Sequence, residues 1–337
     1  MSIVGIIANP ASGKDIRRLV AHALVMGNRE KANIVCRMLL GLDAAGIHDV
    51  RIMPDEFGIG IQAIADLGHS KPEVVAGVSI LDMDFVGAGI DTIRAVRMLR
   101  EMGANCIIAI GGDGTTRLVA KESRHIPLLP VSTGTNNVLP QFVEGTVAGL
   151  AAGIIAQEDP AGQHALCYRS KRLEIVLDGQ PVDHALVDVG VVINTFTGSR
   201  AVWETDQILQ VAVTRAAPAT IGLSTIVGMV QSISIRDPFG AVASICKEES
   251  ARTVMAPIGP GLFARLKLRQ IDMLEPDKCY PITPERPLML ALDGEREIQV
   301  KVGQEASICL RMDGPWIVNV DRVLEKAVRE QRFILKI

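Results

Sequence analysis

With 337 residues, the chain exceeds a typical single domain and has the length for two. Apolar residues make up 48% of it and charged residues 22%, so a large core can form. A net charge of −3 with both signs interspersed, and an aromatic content of 3%, exclude the basic stripe and stacking rings of a nucleic-acid binder and favour a small-molecule partner.

Ile3–Ala8 reads as a buried strand, followed by the loop NPASGKD and a helical run. Residues 30–42 are amphipathic, and Gly46 falls just past their end, where a helix stops. Short apolar strands follow at 50–53 and 78–81. Asp91 is placed as the N-cap of TIRAVRMLREM, whose Ile93, Val96, Leu99 and Met102 share one face before Gly103 ends the helix. Then come a strand at 107–110, the loop GGDGT, a short helix at 116–121 and a strand at 126–131 that opens into STGTNN. A small-residue helix over 143–156 leads into QEDPAGQ, read as a linker. This alternation predicts an α/β domain over residues 1–160, with a parallel Rossmann-like sheet and ligands at the carboxyl ends of its strands.

Beyond the linker the pattern changes. RLEIVLDGQPVDHALVDVGVVI and LMLALDGEREIQVKV each read as strand, Asp-Gly turn, strand, and helical periodicity is scarce between them. Residues 161–315 are therefore expected to form a mostly antiparallel β-sandwich domain. Asp321 is placed as the cap of a last amphipathic helix within 316–337, which can pack back on the first domain. The six cysteines, at 36, 106, 167, 246, 279 and 309, form no C-x-x-C or Cys/His cluster, so reduced thiols are expected, without a zinc site or disulfide framework. The histidines show no metal-ligand spacing, and no protein metal site is predicted. The chain begins on a strand-like run with no basic leader, and its longest low-charge stretches are too short to span a bilayer. A cytoplasmic protein without membrane insertion is expected, with a homo-oligomer left open.

Two phosphate-loop patterns fail on inspection. ANPASGKD has Gly13 and Lys14 in place, but Ala8 stands where a P-loop needs its first glycine and Asp15 where it needs Ser or Thr. GGDGTTR imitates the dinucleotide fingerprint, with Arg117 replacing the third glycine. What remains is a strand–GGDGT–helix unit. Gly111, Gly112 and Gly114 allow positive φ and close approach of an anion to backbone N–H groups, and Thr115 adds a hydroxyl near a helix N-terminus. Asp113 would repel bare phosphate, but it suits a site where it faces a cation or an attacking hydroxyl, as phosphoryl transfer requires. The other reading is a tight βα turn in which Asp113 caps the helix.

GGDGT after a buried strand, preceded by NPASGK after the first strand, resembles the superfamily that joins NAD kinases with diacylglycerol and sphingosine kinases. DTIRAVRMLREMGANCIIAIGGDGT and ALVDVGVVINTFTGSRAVWE look like its ATP-NAD kinase-like branch, which includes the AcoX type of acetoin catabolism. The resemblance spans almost the whole chain. It implies an ATP-dependent, Mg²⁺-requiring kinase acting on a hydroxyl of NAD, a related nucleotide or a small metabolite. The alternatives are a lipid or small-diol kinase, or a nucleotide-binding regulatory protein without turnover. Carried over by residue, Asn9, Ser12, Gly13, Lys14, Gly111, Gly112, Gly114, Thr115, Thr135, Asn136 and Asn137 would bind nucleotide and phosphate. Asp113 would be catalytic, beside the acceptor hydroxyl, and Asp188, Asp293 and Glu295 would face the acceptor. Apart from the resemblance, Ser199 and Arg200 in FTGSRAVWE could reach a phosphate and Trp203 could stack on a ring, while a loop leading into a helix with Trp203 in its core fits these residues equally well. One departure stands out: Val187 occupies the place of the asparagine with which NAD kinases grip the acceptor nucleoside, leaving Asp188 or Asn194 to supply its hydrogen bonds.

Overall fold

A computed structural model describes residues 2–12, 26–134, 137–193 and 205–334. The first half alternates as its periodicity requires: β1 (Ile3–Ala8), α1 (Asn28–Ala44), β2 (Asp49–Ile52), α2 (Ile59–Gly68), α3 (Pro72–Val75), β3 (Val78–Ile80), α4 (Gly89–Glu101), β4 (Cys106–Gly111), α5 (Asp113–Ser123), β5 (Leu128–Ser132), α6 (Gly145–Ala156), α7 (Pro160–Leu166) and β6 (Cys167–Arg169). The strands run β3-β2-β1-β4-β5 in parallel, the sheet being fully buried at β4 and β5 because helices cover both faces. Helix α1 packs so closely on α6 that a Cβ on Gly149 would lie 2.1 Å from the Met38 carbonyl oxygen, which accounts for the small residues of α6.

The second half is antiparallel: β7 (Arg172–Leu177), β8 (Gln180–Ala185), β9 (Asp188–Val192), β10 (Ile208–Val213), the short helix α8 (Ser224–Gly228), β11 (Gly240–Cys246), β12 (Arg252–Gly259), β13 (Leu262–Leu274), β14 (Cys279–Ile282), β15 (Leu288–Leu292), β16 (Glu295–Val300) and β17 (Ala306–Arg311). They form one sheet in the order β12-β13-β11-β10-β9-β15-β16 and a second in the order β14-β17-β7-β8. Leu173, Ile175 and Ile308 of the smaller sheet meet Val189, Val191 and Leu290 of the larger in a sandwich core. Both Asp-Gly turns have the positive φ values of two-residue hairpins: 50° and 77° at Asp178 and Gly179, 50° and 81° at Asp293 and Gly294. The chain then returns. β18 (Trp316–Val318) inserts between β5 and β6 of the first sheet, and α9 (Val320–Arg329) packs against α6.

Several local expectations are corrected. Asp91 is the third residue of α4, not its cap; its carboxylate reaches back to the Val86 and Ala88 N–H groups. Helix α9 is capped by Asn319, whose Oδ1 accepts from the Arg322 N–H, two residues before the expected cap. The expected linker holds α7, capped by Asp159, and the chain crosses between domains at Ser170 and back at Pro315. The cysteines are not all free: Cys279 and Cys309 face each other across β14 and β17 and are joined by a disulfide. Thirty residues separate them in sequence, so only the strand register brings them together. Among the described residues, no helix is long and apolar enough to cross a membrane.

Candidate active site

The carboxyl ends of β1, β4 and β5 converge, and the loops that leave them interlock. Asn9, one residue past β1, donates from Nδ2 to Thr115 Oγ1 at 2.8 Å, while its Oδ1 accepts from the Ala11 N–H at 2.9 Å. Ser12 Oγ donates to the Asn9 carbonyl at 2.8 Å and accepts from Thr133 Oγ1 at 3.1 Å. Asn137 Nδ2 donates to Ser132 Oγ at 2.8 Å, tying the loop after β5 to its own strand end.

The glycines are needed for a different reason from the one expected. None of Gly111, Gly112 and Gly114 has positive φ. Each is instead overlaid by a polar side chain. A Cβ on Gly111 would lie 2.5 Å from Thr115 Oγ1, on Gly112 2.7 Å from Asn137 Oδ1, and on Gly114 3.0 Å from Glu295 Oε1. The missing side chains let three polar groups from three segments close on one turn.

Asp113 is the first residue of α5 and does not cap it: Gly112 stands at the N-cap, without a side-chain bond. The carboxylate turns sideways. Its Oδ2 accepts from the Val138 N–H and its Oδ1 from the Leu139 N–H, both at 2.8 Å, so it clamps the loop after β5 onto the glycine turn. Asp293 does the same in the second domain. Its Oδ1 accepts from the Leu186, Val187 and Asp188 N–H groups at 3.1, 2.8 and 3.2 Å. Burial pushes the Asp293 carboxyl up to about 6 against the pull of Arg117, and the charge of Asp113 adds to the rise. Asp188 sits behind it, its Oδ2 accepting from the Ser224 N–H at 3.2 Å and its carbonyl from the Asp293 N–H at 2.9 Å. Val187 is buried in an apolar cluster with Leu139 and Leu186, and its carbonyl accepts from the Thr214 N–H.

Asn9, Ser12, Gly111, Gly112, Asp113, Gly114, Thr115, Asn137 and Glu295 are thus brought around one turn, while Asp188 and Asp293 stand one layer behind. Gly13, Lys14, Thr135, Asn136, Asn194, Ser199, Arg200 and Trp203 lie outside the described residues. Sequence reasoning missed Lys31. It is fully buried on α1, and its Nζ donates to the Asn9, Pro10 and Ser12 carbonyls at 2.8, 3.1 and 2.8 Å, fixing the NPAS loop. The available signal was a lysine in register with the apolar face of α1, three and four residues before Ile34 and Val35. Arg117 was also missed, having been read only as a broken fingerprint. Among the described residues, no group of three or more His, Cys, Asp or Glu side chains could hold a metal ion.

Residues 4–159 match the ATP-NAD kinase N-terminal domain, and residues 171–313 match the acetoin catabolism protein X C-terminal domain. Acetoin catabolism protein X of Cupriavidus necator is 36% identical over 315 residues, which cover 91% of this chain and 87% of that protein. The chain belongs to the acetoin catabolism protein X family. A solved structure described as a diacylglycerol kinase candidate from Bacillus anthracis strain Sterne aligns over 94% of this chain and 97% of its own, with a TM-score of 0.47 and 13% identity. In this acetoin catabolism protein X family member, the interlocked loops after β1, β4 and β5 fall within the kinase-type half, and Asp188, Asp293 and Glu295 within the half matched by the acetoin catabolism domain.

Proposed function

We propose that this protein is a phosphotransferase that moves the terminal phosphoryl group of ATP to a hydroxyl of a small metabolite. The observation that carries the reading is the meeting of Asn9, Thr115, Asn137 and Glu295 around the GGDGT turn, at the carboxyl ends of parallel strands. The N–H groups and hydroxyls of that turn suit phosphate oxygens, and the N-terminus of α5 favours their charge. Glu295, half-buried across Gly114, comes from the other domain and is the carboxylate best placed to orient an acceptor hydroxyl. On this reading its carboxylate takes the proton as the acceptor oxygen bonds to the γ-phosphorus and the bond to the β-phosphate oxygen breaks, releasing ADP. Asp113 holds the Val138–Leu139 loop beside the phosphates.

Mg²⁺ binds phosphate oxygens, water and one or two carboxylates, a donor set that Glu295 and the nucleotide would supply; when bound, it neutralises charge on the transferring group. The acceptor is proposed to be a small hydroxy compound, since the curated relative is named for acetoin catabolism and Val187, enclosed in an apolar cluster, presents no side-chain hydrogen-bonding group to a nucleoside. Isothermal calorimetry with ATP, then a radiolabelled-phosphate assay against small diols and NAD with Mg²⁺, tests the reading. ATP binding with transfer to a diol and no NADP formation is the expected result. Absence of ATP binding overturns it. A second reading, nucleotide binding without turnover, is favoured by the commitment of both Asp113 oxygens to backbone N–H groups, and predicts ATP binding without transfer to any acceptor.

A further inference from the structure

Arg117 lies on α5 one turn past Asp113, and with 2% exposure it is among the largest fully enclosed side chains of the protein. Among the described residues, the acids with which it forms hydrogen bonds or ion pairs at the distances below belong to the other domain. Its Nη2 donates to Glu297 Oε1 of β16 at 2.9 Å, its Nη1 to Asp183 Oδ2 of β8 at 3.3 Å, and its Nε lies 3.9 Å from Asp293 Oδ2 in the β15–β16 turn. Lys121, a further turn along α5, donates to Asp183 at 2.8 Å. Burial raises the Asp183 carboxyl, but the Lys121 bond and the Arg117 charge hold it below the usual carboxylate range.

A planar guanidinium with fixed donors can hold several carboxylates in register, which a flexible ammonium cannot. The partners chosen here have a geometric consequence. Asp293 and Glu297 flank Glu295 on either side, so the hydrogen bond to Glu297 and the charge contact with Asp293 at 3.9 Å, across which Nε makes no hydrogen bond, hold the turn that carries Glu295 over Gly114. The same helix therefore begins at the glycine turn and, four residues later, anchors the opposing turn. An arginine serving only to fill space would not need acids from two separate segments, β8 and the β15–β16 hairpin.

We propose that Arg117 is a positioning residue that registers the Asp293–Glu295 turn of the second domain against the GGDGT turn of the first. This rests on the phosphotransferase reading for its catalytic consequence, though not for its structural one. Arg117 touches neither reactant on this view and acts through Glu295.

The test uses the full chain with Arg117→Met, Arg117→Lys, Asp183→Asn and Glu297→Gln. Three quantities are read: hydrogen exchange over residues 184–190 and 292–298, calorimetric affinity for ATP, and the rate of phosphoryl transfer from labelled ATP. Arg117→Met should raise exchange in both segments by about tenfold or more while leaving ATP affinity within about threefold. Its kcat should fall roughly 10- to 100-fold, the scale of an ångström-level misplacement, with the KM for ATP little changed. Arg117→Lys should recover part of both effects, because it restores charge without the fork. Asp183→Asn and Glu297→Gln should loosen the same segments to a smaller degree, and they carry the test if Arg117→Met does not fold. Unchanged exchange in Arg117→Met, or in both partner variants, overturns the proposal. Loosened segments in a protein whose wild type transfers no phosphate would uphold the clamp and overturn the phosphotransferase reading. Loosened segments with an unchanged transfer rate would remove the link to Glu295 and overturn the catalytic part of the proposal.

Discussion

Replacing Asp113 by asparagine changes no volume but converts one of two acceptors into a donor. The two oxygens face the Val138 and Leu139 N–H groups at 2.8 Å each, so whichever way the amide turns, one backbone N–H meets an NH₂ group. The lost bond is charge-assisted, worth about 1.5–3 kcal/mol. Leu139 is only 2% exposed, so water cannot replace the acceptor there, and an unsatisfied N–H adds about 1–3 kcal/mol. Removing a charge from the first position of α5 adds about 0.3–1 kcal/mol through the helix dipole. The terms overlap, and a net local destabilisation of about 3 kcal/mol is expected, roughly a hundredfold faster exchange at the Leu139 amide. Hydrogen-exchange NMR of that amide in the wild type and Asp113→Asn reads this directly, with urea unfolding as the global check. A variant that keeps Leu139 protected within threefold of wild type would refute the view that the carboxylate holds this loop.

Gly111→Ala should be more damaging than Gly114→Ala in thermal unfolding. The new Cβ at 111 meets the stiff, β-branched Thr115 at 2.5–2.9 Å, about 1–3 kcal/mol of overpacking, whereas at 114 it meets the far end of Glu295 at 3.0 Å, which can swing aside. Lys31→Met should destabilise the protein by about 2–4 kcal/mol in urea unfolding, because it leaves the Asn9, Pro10 and Ser12 carbonyls without their shared donor. The folded protein binds the Asp293 proton more tightly than the unfolded chain does. Its contribution to stability is therefore full below about pH 4 and lost as pH rises through about 6, a change of roughly 3 kcal/mol that should appear in the wild-type curve and vanish from that of Asp293→Asn.

The α/β alternation and the two Asp-Gly hairpins were legible because each is written in a few consecutive residues: apolar runs of strand length, and turn residues with the right backbone freedom. The glycine turn was legible for the same reason, but its physical cause was not. Positive φ is a local property that sequence suggests, whereas the approach of Asn137 and Glu295 to Gly112 and Gly114 joins positions 25 and 181 residues apart. Arg117 shows the limit most plainly. Its partners lie 66 and 180 residues away, and nothing near position 117 announces them. The N-cap positions of α4 and α9 fall three and two residues before the expected caps Asp91 and Asp321, because several residues near a helix start can bond its free N–H groups and tertiary packing selects among them.

The return of β18 to the first sheet gives the sandwich two attachments instead of one. Trp316 pairs with Arg169, and the Ser170 N–H donates to the Pro315 carbonyl at 2.9 Å, so the outgoing and incoming chains pass through one narrow neck. A Cβ on Gly314 would lie 2.5 Å from the Ser170 carbonyl oxygen, which shows how tight the neck is. A module whose entry and exit touch can be lifted out and exchanged without stretching its host. Recombination at this neck could replace the whole sandwich, and with it the Asp293–Glu295 turn, while leaving the α/β half uncut.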